Sequence, residues 1–227
     1  MSGVAASRVA AIIPAAGMGT RLGVHQPKAF FALAGLSLLT RSALTLASQV
    51  DVIVVAVPAD YVAIAAQELD SVDAEIHIVV GGTTRQESVA AALLVVPADI
   101  ELVLVHDAAR PLVPESVIVQ VIGELVDGAE AVVPVLPVVD TIKRVDSNGD
   151  VVATVDRNSL RRVQTPQGFT MELLTEAFAN SKHVATDEAG LVEKLGLAIR
   201  TVPGSERAFK ITTPDDVVFA LSLLGEA

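Results

Sequence analysis

Short aliphatic runs alternating with helix-spaced segments constrain this chain more than any other feature. Val9 to Ile13 is closed by Pro14 and a glycine loop, Asp51 to Val57 by Pro58, and Glu75 to Val80 by Gly81-Gly82. Apolar runs of this length, bounded by turn residues, read as strands buried on both faces. Between the first two, Leu38, Leu39, Ser42, Ala43 and Leu46 recur at helical spacing, and Tyr61 to Leu69 and Arg85 to Leu94 continue the alternation. Thr84 and Glu87 form a capping box signal, in which each side chain takes an orphan backbone N–H at the helix start. Leu102 to Val105 gives a strand ending at His106-Asp107, Pro114 to Val126 a helix stopped at Gly128, and Ala131 to Leu136 another strand. Repeated βα units predict an α/β fold with a mostly parallel, twisted sheet that gathers ligands at the carboxyl ends of its strands.

The rhythm breaks after residue 136. Thr141 to Val145 and Val151 to Val155 flank Asn148-Gly149, a hairpin signal because both residues tolerate positive φ. Two strands alone are marginal in water, so this ribbon must pack on something, and a second subunit is a natural candidate. A helix from Met171 to Ser181, strands at Ala198 to Val202 and Phe209 to Ile211, and a final helix capped by Thr213 with Pro214 at its first position complete the pattern. No repeat or linker divides the chain. Residues 1–227 are expected to form a single domain with an inserted β-arm at about 137–160.

Composition limits the chemistry. The core must be aliphatic, since apolar residues make up 52% of the chain and aromatics 3%. No apolar run approaches the roughly 20 residues that span a bilayer, and Met1 to Arg8 lacks a targeting pattern, so a cytoplasmic location is expected. Without cysteine there is no disulfide, thiolate metal site or thiol nucleophile. A formal charge of −11 repels nucleic acid and anionic membranes, so an anionic substrate has to be caught by a local cluster of cations.

Pro14-Ala15-Ala16-Gly17-Met18-Gly19-Thr20-Arg21 stands directly after the first strand. Small residues let backbone N–H groups approach phosphate, though an ordinary βα turn would look similar. A Walker loop needs Gly-Lys followed by Ser or Thr, and the dinucleotide fingerprint needs Gly or Ala where Leu22 stands, so neither fits. A short loop carrying Arg21, with Pro27-Lys28 beyond it, suits a triphosphate clamp that also neutralises charge growing in phosphoryl transfer. Asp107-Ala108-Ala109-Arg110-Pro111 ends a strand on the same sheet edge, where Asp107 can hold Mg²⁺ or a ribose, or simply pair with Arg110 in a turn. Gly81-Gly82 with Arg85 and Ser88 can line a base pocket or form a plain turn. Thr141, Lys143, Arg144 and Arg157 give a basic ribbon that is either functional or a solvated face. Lys210 sits in an expected strand, where its ammonium requires an anion or a carboxylate such as Asp215 or Asp216. His106 has no triad partner and receives no chemical role.

Pro14-Ala-Ala-Gly-x-Gly-x-Arg21, Pro27-Lys28, Gly81-Gly-x-x-Arg-x-x-Ser88, His106-Asp-Ala-Ala-Arg-Pro111, Asp140-Thr-Ile-Lys143, Thr154-Val-Asp-Arg157, Thr165-Pro-Gln167 and Thr186-Asp-Glu-Ala189 together resemble the 2-C-methyl-D-erythritol 4-phosphate cytidylyltransferases, in order and over nearly the whole chain. The resemblance implies a Rossmann-like nucleotidyltransferase sandwich with a protruding β-hairpin dimerisation arm. It also implies cytidylyl transfer from CTP to 2-C-methyl-D-erythritol 4-phosphate, giving 4-diphosphocytidyl-2-C-methyl-D-erythritol and pyrophosphate, with Mg²⁺ as the divalent cation. By resemblance Arg21, Lys28, Arg157 and Lys210 are catalytic. Pro14, Ala15, Ala16, Gly17, Gly19, Gly82, Ser88, Asp107 and Ala108 bind nucleotide. Asp107, Arg110, Thr141, Thr165 and Thr186, with Arg157 and Lys210, bind the acceptor. Mg²⁺ is held mainly by the triphosphate, with Asp107 as its one protein candidate. A homodimer with exchanged arms would carry Arg157 into its partner's site. Thr83 stands where some relatives carry an acid, so no side-chain contact to the nucleoside is transferred to it.

A ribitol 5-phosphate or other polyol-phosphate cytidylyltransferase shares the loop and the Asp-Ala-Ala-Arg-Pro segment, and is the nearest alternative. A sugar-nucleotide pyrophosphorylase needs a larger sugar pocket than this chain offers. A nucleotide-sensing module on a decayed transferase fold is the non-enzyme alternative, against which Arg21 and Lys28 both stand intact.

Overall fold

The first aliphatic run forms β1 (Val9–Pro14), whose side chains divide between two cores. Val9, Ala11 and Ile13 belong to one apolar cluster and Ala10 and Ile12 to the other, as the two-residue period of a strand buried on both faces requires. The computed structural model describes residues 7–181 and 185–225, so most of the amino-terminal stretch read for targeting lies outside the described residues.

A small hairpin, β2 (Ala32–Leu33) and β3 (Leu36–Ser37), leads into α1 (Leu38–Ala47), where the Ser37 hydroxyl accepts the Thr40 N–H as cap. β4 (Val52–Val57), α2 (Val62–Leu69), β5 (Glu75–Val80) and α3 (Arg85–Leu93) follow, then β6 (Leu102–Val105), α4 (Glu115–Val126) and β7 (Ala131–Pro137). β1 lies between β4 and β6, with β5 outside β4, all in parallel. The loops after β1, β5 and β6, at residues 14, 81 and 106, therefore open on one edge of the sheet.

The predicted hairpin is present as β8 (Ile142–Val145) and β9 (Val151–Val155), which among the described residues pair only with each other, around a turn in which Gly149 adopts φ 89°. Beyond it, β10 (Arg161–Val163) and β11 (Gln167–Thr170) run antiparallel along β7 as one strand broken at residues 164–166. Val163 lies opposite Val135 and Gly168 opposite Val132, and β11 inserts between β7 and β6. α5 (Met171–Ala179), α6 (Ala189–Lys194), β12 (Arg200–Pro203), parallel to β7, and α7 (Pro214–Leu224) complete the order. α1, α2 and α4 cover one sheet face, and α3, α5 and α6 the other. The mixed α/β architecture with a mostly parallel sheet is as expected, and no helix among the described residues is long and apolar enough to cross a membrane.

One expected strand is absent. Phe209 to Ile211 is extended but joins no ladder, because it crosses the loop after β6: its single backbone bond of this kind runs from Ile211 N–H to Ala109 O at 2.8 Å. Ile211 is buried with Leu22, Leu33, Leu38 and Ala220 in a third apolar cluster, under the loop that follows β1. This crossing segment delivers Lys210 to the edge where the strand ends open.

Candidate active site

The loop after β1 doubles back on itself. Lys28 N–H donates to Gly17 O at 2.9 Å and Gly19 N–H to Gln26 O at 3.2 Å, while buried Leu22 roots the intervening turn in the third cluster. A Cβ at Gly19 would collide with the Val24 side chain and crowd the Gln26 carbonyl at 3.2 Å, so only glycine permits this fold-back. As a result Arg21 and Lys28 share one wall of a cleft that is open to solvent. Burial, then the charges of Lys210 and Arg21, lower the Lys28 pKa to about 8. Asp107 and Asp216 only partly offset this, and an anion brought into the cleft would favour the charged form of Lys28.

The opposite wall is the start of α3. The Thr84 hydroxyl accepts the Glu87 N–H, and the Glu87 carboxylate takes the Thr83 and Thr84 N–H groups, completing the predicted capping box. Ser88 Oγ donates to Thr84 O at 2.9 Å and accepts the Gly82 N–H at 3.2 Å, so it faces the cleft with its hydrogen already committed.

The floor is a line of alternating charges. Arg85 Nε donates to Asp107 Oδ1 at 2.9 Å, and Lys210 Nζ donates to Asp107 Oδ2 at 2.9 Å. Arg85 Nη1 reaches both oxygens of buried Glu188, at 2.7 and 2.9 Å. Burial resists ionisation of Asp107, but Arg85 and Lys210 outweigh it and hold the carboxyl well below the usual range. Arg110 Nε lies 3.8 Å from Asp107 Oδ2 and is a buried N–H without a hydrogen-bond partner. The partner of Lys210 is thus Asp107 rather than Asp215 or Asp216. Asp216 is occupied in the cap of α7, accepting the Thr212 and Thr213 N–H groups at 2.7 Å each.

Behind Asp107, its own N–H donates to Thr165 Oγ1 at 3.0 Å, Thr165 Oγ1 lies 3.1 Å from His106 Nδ1, and His106 Nε2 lies 3.3 Å from Arg110 O. A carbonyl can only accept, so Nε2 carries the imidazole hydrogen and Nδ1 accepts the Thr165 hydroxyl. Burial keeps His106 neutral, its pKa lowered to about 4. His106 is therefore a post for the Asp107 loop.

Pro14, Ala15, Ala16, Gly17, Arg21, Lys28, Gly82, Ser88, Asp107, Ala108 and Lys210 meet at this cleft, with Asp107 its one lining carboxylate among the described residues. Residues 9–226 match the sequence profile of the 2-C-methyl-D-erythritol 4-phosphate cytidylyltransferases. The chain belongs to that family. It is similar to a 2-C-methyl-D-erythritol 4-phosphate cytidylyltransferase from Saccharopolyspora erythraea, 50% identical over 222 residues, covering 95% of this chain and 99% of that protein. A 4-diphosphocytidyl-2C-methyl-D-erythritol synthase crystal structure from Anaerococcus prevotii matches at TM-score 0.84 and 29% identity, over 96% of this chain and 99% of that one. A 2-C-methyl-D-erythritol 4-phosphate cytidylyltransferase structure from Thermus thermophilus matches at 0.77 and 37%, over 95% and 98%.

In this cytidylyltransferase the remaining sequence-assigned residues lie away from the cleft lining. Gly19 is inside the folded loop, Arg110 and Thr165 stand beside and behind Asp107, and Thr186 is exposed on the segment before α6. Thr141 and Arg157 are exposed on the arm, where the Arg157 guanidinium donates to Val139 O of its own chain. The residue that motif reading missed is Glu188. It sits within the Thr186-Asp-Glu-Ala189 stretch, but nothing in that stretch distinguishes a buried Glu188 from the partly exposed Asp187 beside it. Arg85 was read only as a possible base-pocket residue, and its bridging role required the tertiary contact.

Proposed function

We propose that the cleft binds CTP with the triphosphate on the loop after β1 and the nucleoside against Gly82 and Ser88, and that Lys210 and Arg110 receive the acceptor phosphate beside Asp107. The activity is that of the family: the chain is a CTP-dependent nucleotidyltransferase that forms 4-diphosphocytidyl-2-C-methyl-D-erythritol from 2-C-methyl-D-erythritol 4-phosphate in isoprenoid precursor synthesis. An oxygen of the acceptor phosphate attacks the α-phosphorus of CTP, and the bond to the β-phosphate oxygen breaks to release pyrophosphate. No protein nucleophile is required, in accord with a chain that has no cysteine. Arg21 and Lys28 neutralise the charge that grows on the departing pyrophosphate, and positioning supplies the rest. The observation that carries this assignment of roles is the convergence of Arg21, Lys28 and Lys210 on one cleft in a protein of charge −11.

Mg²⁺ fits this site in one way. Among the described residues no group of three or more acidic or histidine side chains could hold a metal, so the ion would take its oxygens chiefly from the triphosphate, with Asp107 able to offer one. When bound it would screen the phosphate charge and help align the α-phosphorus. The arm supports a homodimer in which residues 137–160 of each chain, within a single domain of 1–227, bring Thr141 and Arg157 to the partner's acceptor site. Cytoplasmic operation belongs to the same proposal. Pyrophosphate release measured with CTP and either 2-C-methyl-D-erythritol 4-phosphate or ribitol 5-phosphate tests the reading. Turnover with the first acceptor is expected, and turnover with ribitol 5-phosphate alone would overturn it.

A further inference from the structure

Glu188 does not itself line the cleft, yet it ends the line of charge that crosses the floor. From inside outward the order is Glu188, Arg85, Asp107 and Lys210, each pair joined at 2.7 to 2.9 Å. Burying a carboxylate carries a desolvation cost that its arginine offsets only in part, so the charge of Glu188, and not merely its hydrogen bonding, calls for a role. Holding the two backbone segments together is not that task. The segment before α6 is already fixed by Ala185 N–H on Gln86 Oε1 at 2.9 Å, Ala189 N–H on Gln167 Oε1 at 3.0 Å, and Gln167 Nε2 on Asp187 Oδ2 at 2.7 Å. The start of α3 is fixed by its own capping box and by Ser88.

We propose that Glu188 is a positioning residue for the transfer: by holding Arg85 Nη1 it sets the tilt of the guanidinium, so that Nε alone meets Asp107 Oδ1 and the other oxygen is left to align Lys210. The role assigned to Lys210 above is the reading on which this rests. Arginine prefers a two-pronged grip on a carboxylate, and it is the charge of Glu188 that draws the Arg85 guanidinium out of such a grip on Asp107. Without that charge the guanidinium can turn its Nε–Nη2 fork onto both oxygens of Asp107, and Lys210 then shares Oδ2 with a second donor and is aligned less well. The acceptor side then suffers, while the nucleotide side does not, because the Gly82 N–H is held by Ser88 Oγ and Ser88 by Thr84 O, neither of them by Arg85.

Glu188→Gln keeps the shape and removes the charge, exchanging two charge-assisted contacts with Arg85 Nη1 for at most one neutral hydrogen bond. With MgCTP and 2-C-methyl-D-erythritol 4-phosphate, the KM for the acceptor rises about tenfold, within the coupling range of residues that share one ion-pair network. CTP binding by calorimetry stays within about twofold of the parent enzyme, because no bond to the nucleotide wall is lost. In an Arg85→Gln background the same change adds nothing further, since the route of its action is gone. Glu188→Asp, which keeps the charge but falls one methylene short, gives a smaller rise confined to the acceptor, and serves as the test if Glu188→Gln does not fold. Equal losses for CTP and acceptor, or additive effects of the Arg85 and Glu188 changes, would overturn the proposal. Failure of the parent enzyme to turn over the acceptor would instead fault the assigned reaction, so the two failures are separable.

Discussion

The cleft floor and the arm carry the same kind of residue in opposite circumstances. Arg85 is tied by side-chain bonds to two carboxylates of its own chain, whereas Arg157 lies exposed on a ribbon and, among the described residues, finds only a backbone carbonyl. Around Arg157 the arm leaves Val139, Val145, Val151 and Val152 more than half exposed, although β-branched apolar residues gain from burial. Folding of one chain therefore completes the floor and leaves the arm unfinished. A side chain whose partners are internal is positioned by folding. One without them is positioned by whatever docks, and a second copy of the chain is the docking partner we propose.

The largest expected effect lies at the cleft wall. Lys28→Ala should lower kcat by roughly 10²–10³, the range seen when one transition-state donor is removed. Its melting temperature should hold or rise, because burial and the neighbouring cations already oppose the charge on Lys28. A large fall in melting temperature would show instead that Lys28 is structural. Asp107→Asn should behave in the opposite way. It leaves Arg85 and Arg110 facing a neutral amide, at a cost of about 3 kcal/mol, the low end for a broken buried pair because the Lys210 side chain is 41% exposed. In a chain of this size that lowers the melting temperature by roughly 6–12 °C. A melt within about 2 °C of the parent, on the same scale, would mean that the floor is not the stabilising element it resembles.

The arm calls for a test that no single variant provides. Arg157→Ala and Lys28→Ala should each be nearly inactive and normally folded. Mixed in equal amounts and allowed to exchange, they should recover about a quarter of the parent activity, because half of the dimers then hold one site with both residues. No recovery after exchange has been verified by native mass spectrometry would mean that Arg157 does not act across the interface.

The same contrast explains what the sequence disclosed. β1, β4, β5 and the arm hairpin were legible because period, turn residues and capping pairs are local signals, and β9 begins and ends at the residues where the pattern does. β10 and β11 were not. Arg161-Arg162-Val163 and Gln167-Gly-Phe-Thr170 have no periodicity of their own, and become strands because β7 and β6 offer unpaired edges. Phe209 to Ile211 failed in the reverse sense, with strand-like composition but no neighbouring strand. In the site, the glycine loop, Lys28 and Asp107 carried motifs, whereas the Asp107–Lys210 and Arg85–Glu188 pairs each join residues 103 apart in sequence. No spacing rule reaches that far.

The smallest effect is the most direct reading of the wall's electrostatics. In the free enzyme Lys28 titrates near pH 8, depressed by burial and by Lys210 and Arg21. A triphosphate brought against it favours the ammonium and so raises that pKa, which makes CTP binding take up a proton when pH lies between the free and bound values. Affinity is therefore nearly complete well below pH 8, falls through pH 8 and declines above it by at most about tenfold per pH unit while a single proton is coupled. With MgCTP at pH 9, the KM for CTP should be about tenfold above its value at pH 7.5, and calorimetry in buffers of different ionisation heat should show close to one proton taken up. The Lys28→Arg enzyme keeps its charge throughout and should lose the slope. Arg157→Ala should keep it, since the arm takes no part in setting the Lys28 charge. A flat profile in the parent enzyme would mean that Lys28 is already fully charged before CTP arrives, and that the cleft wall is solvated to the same degree as the arm.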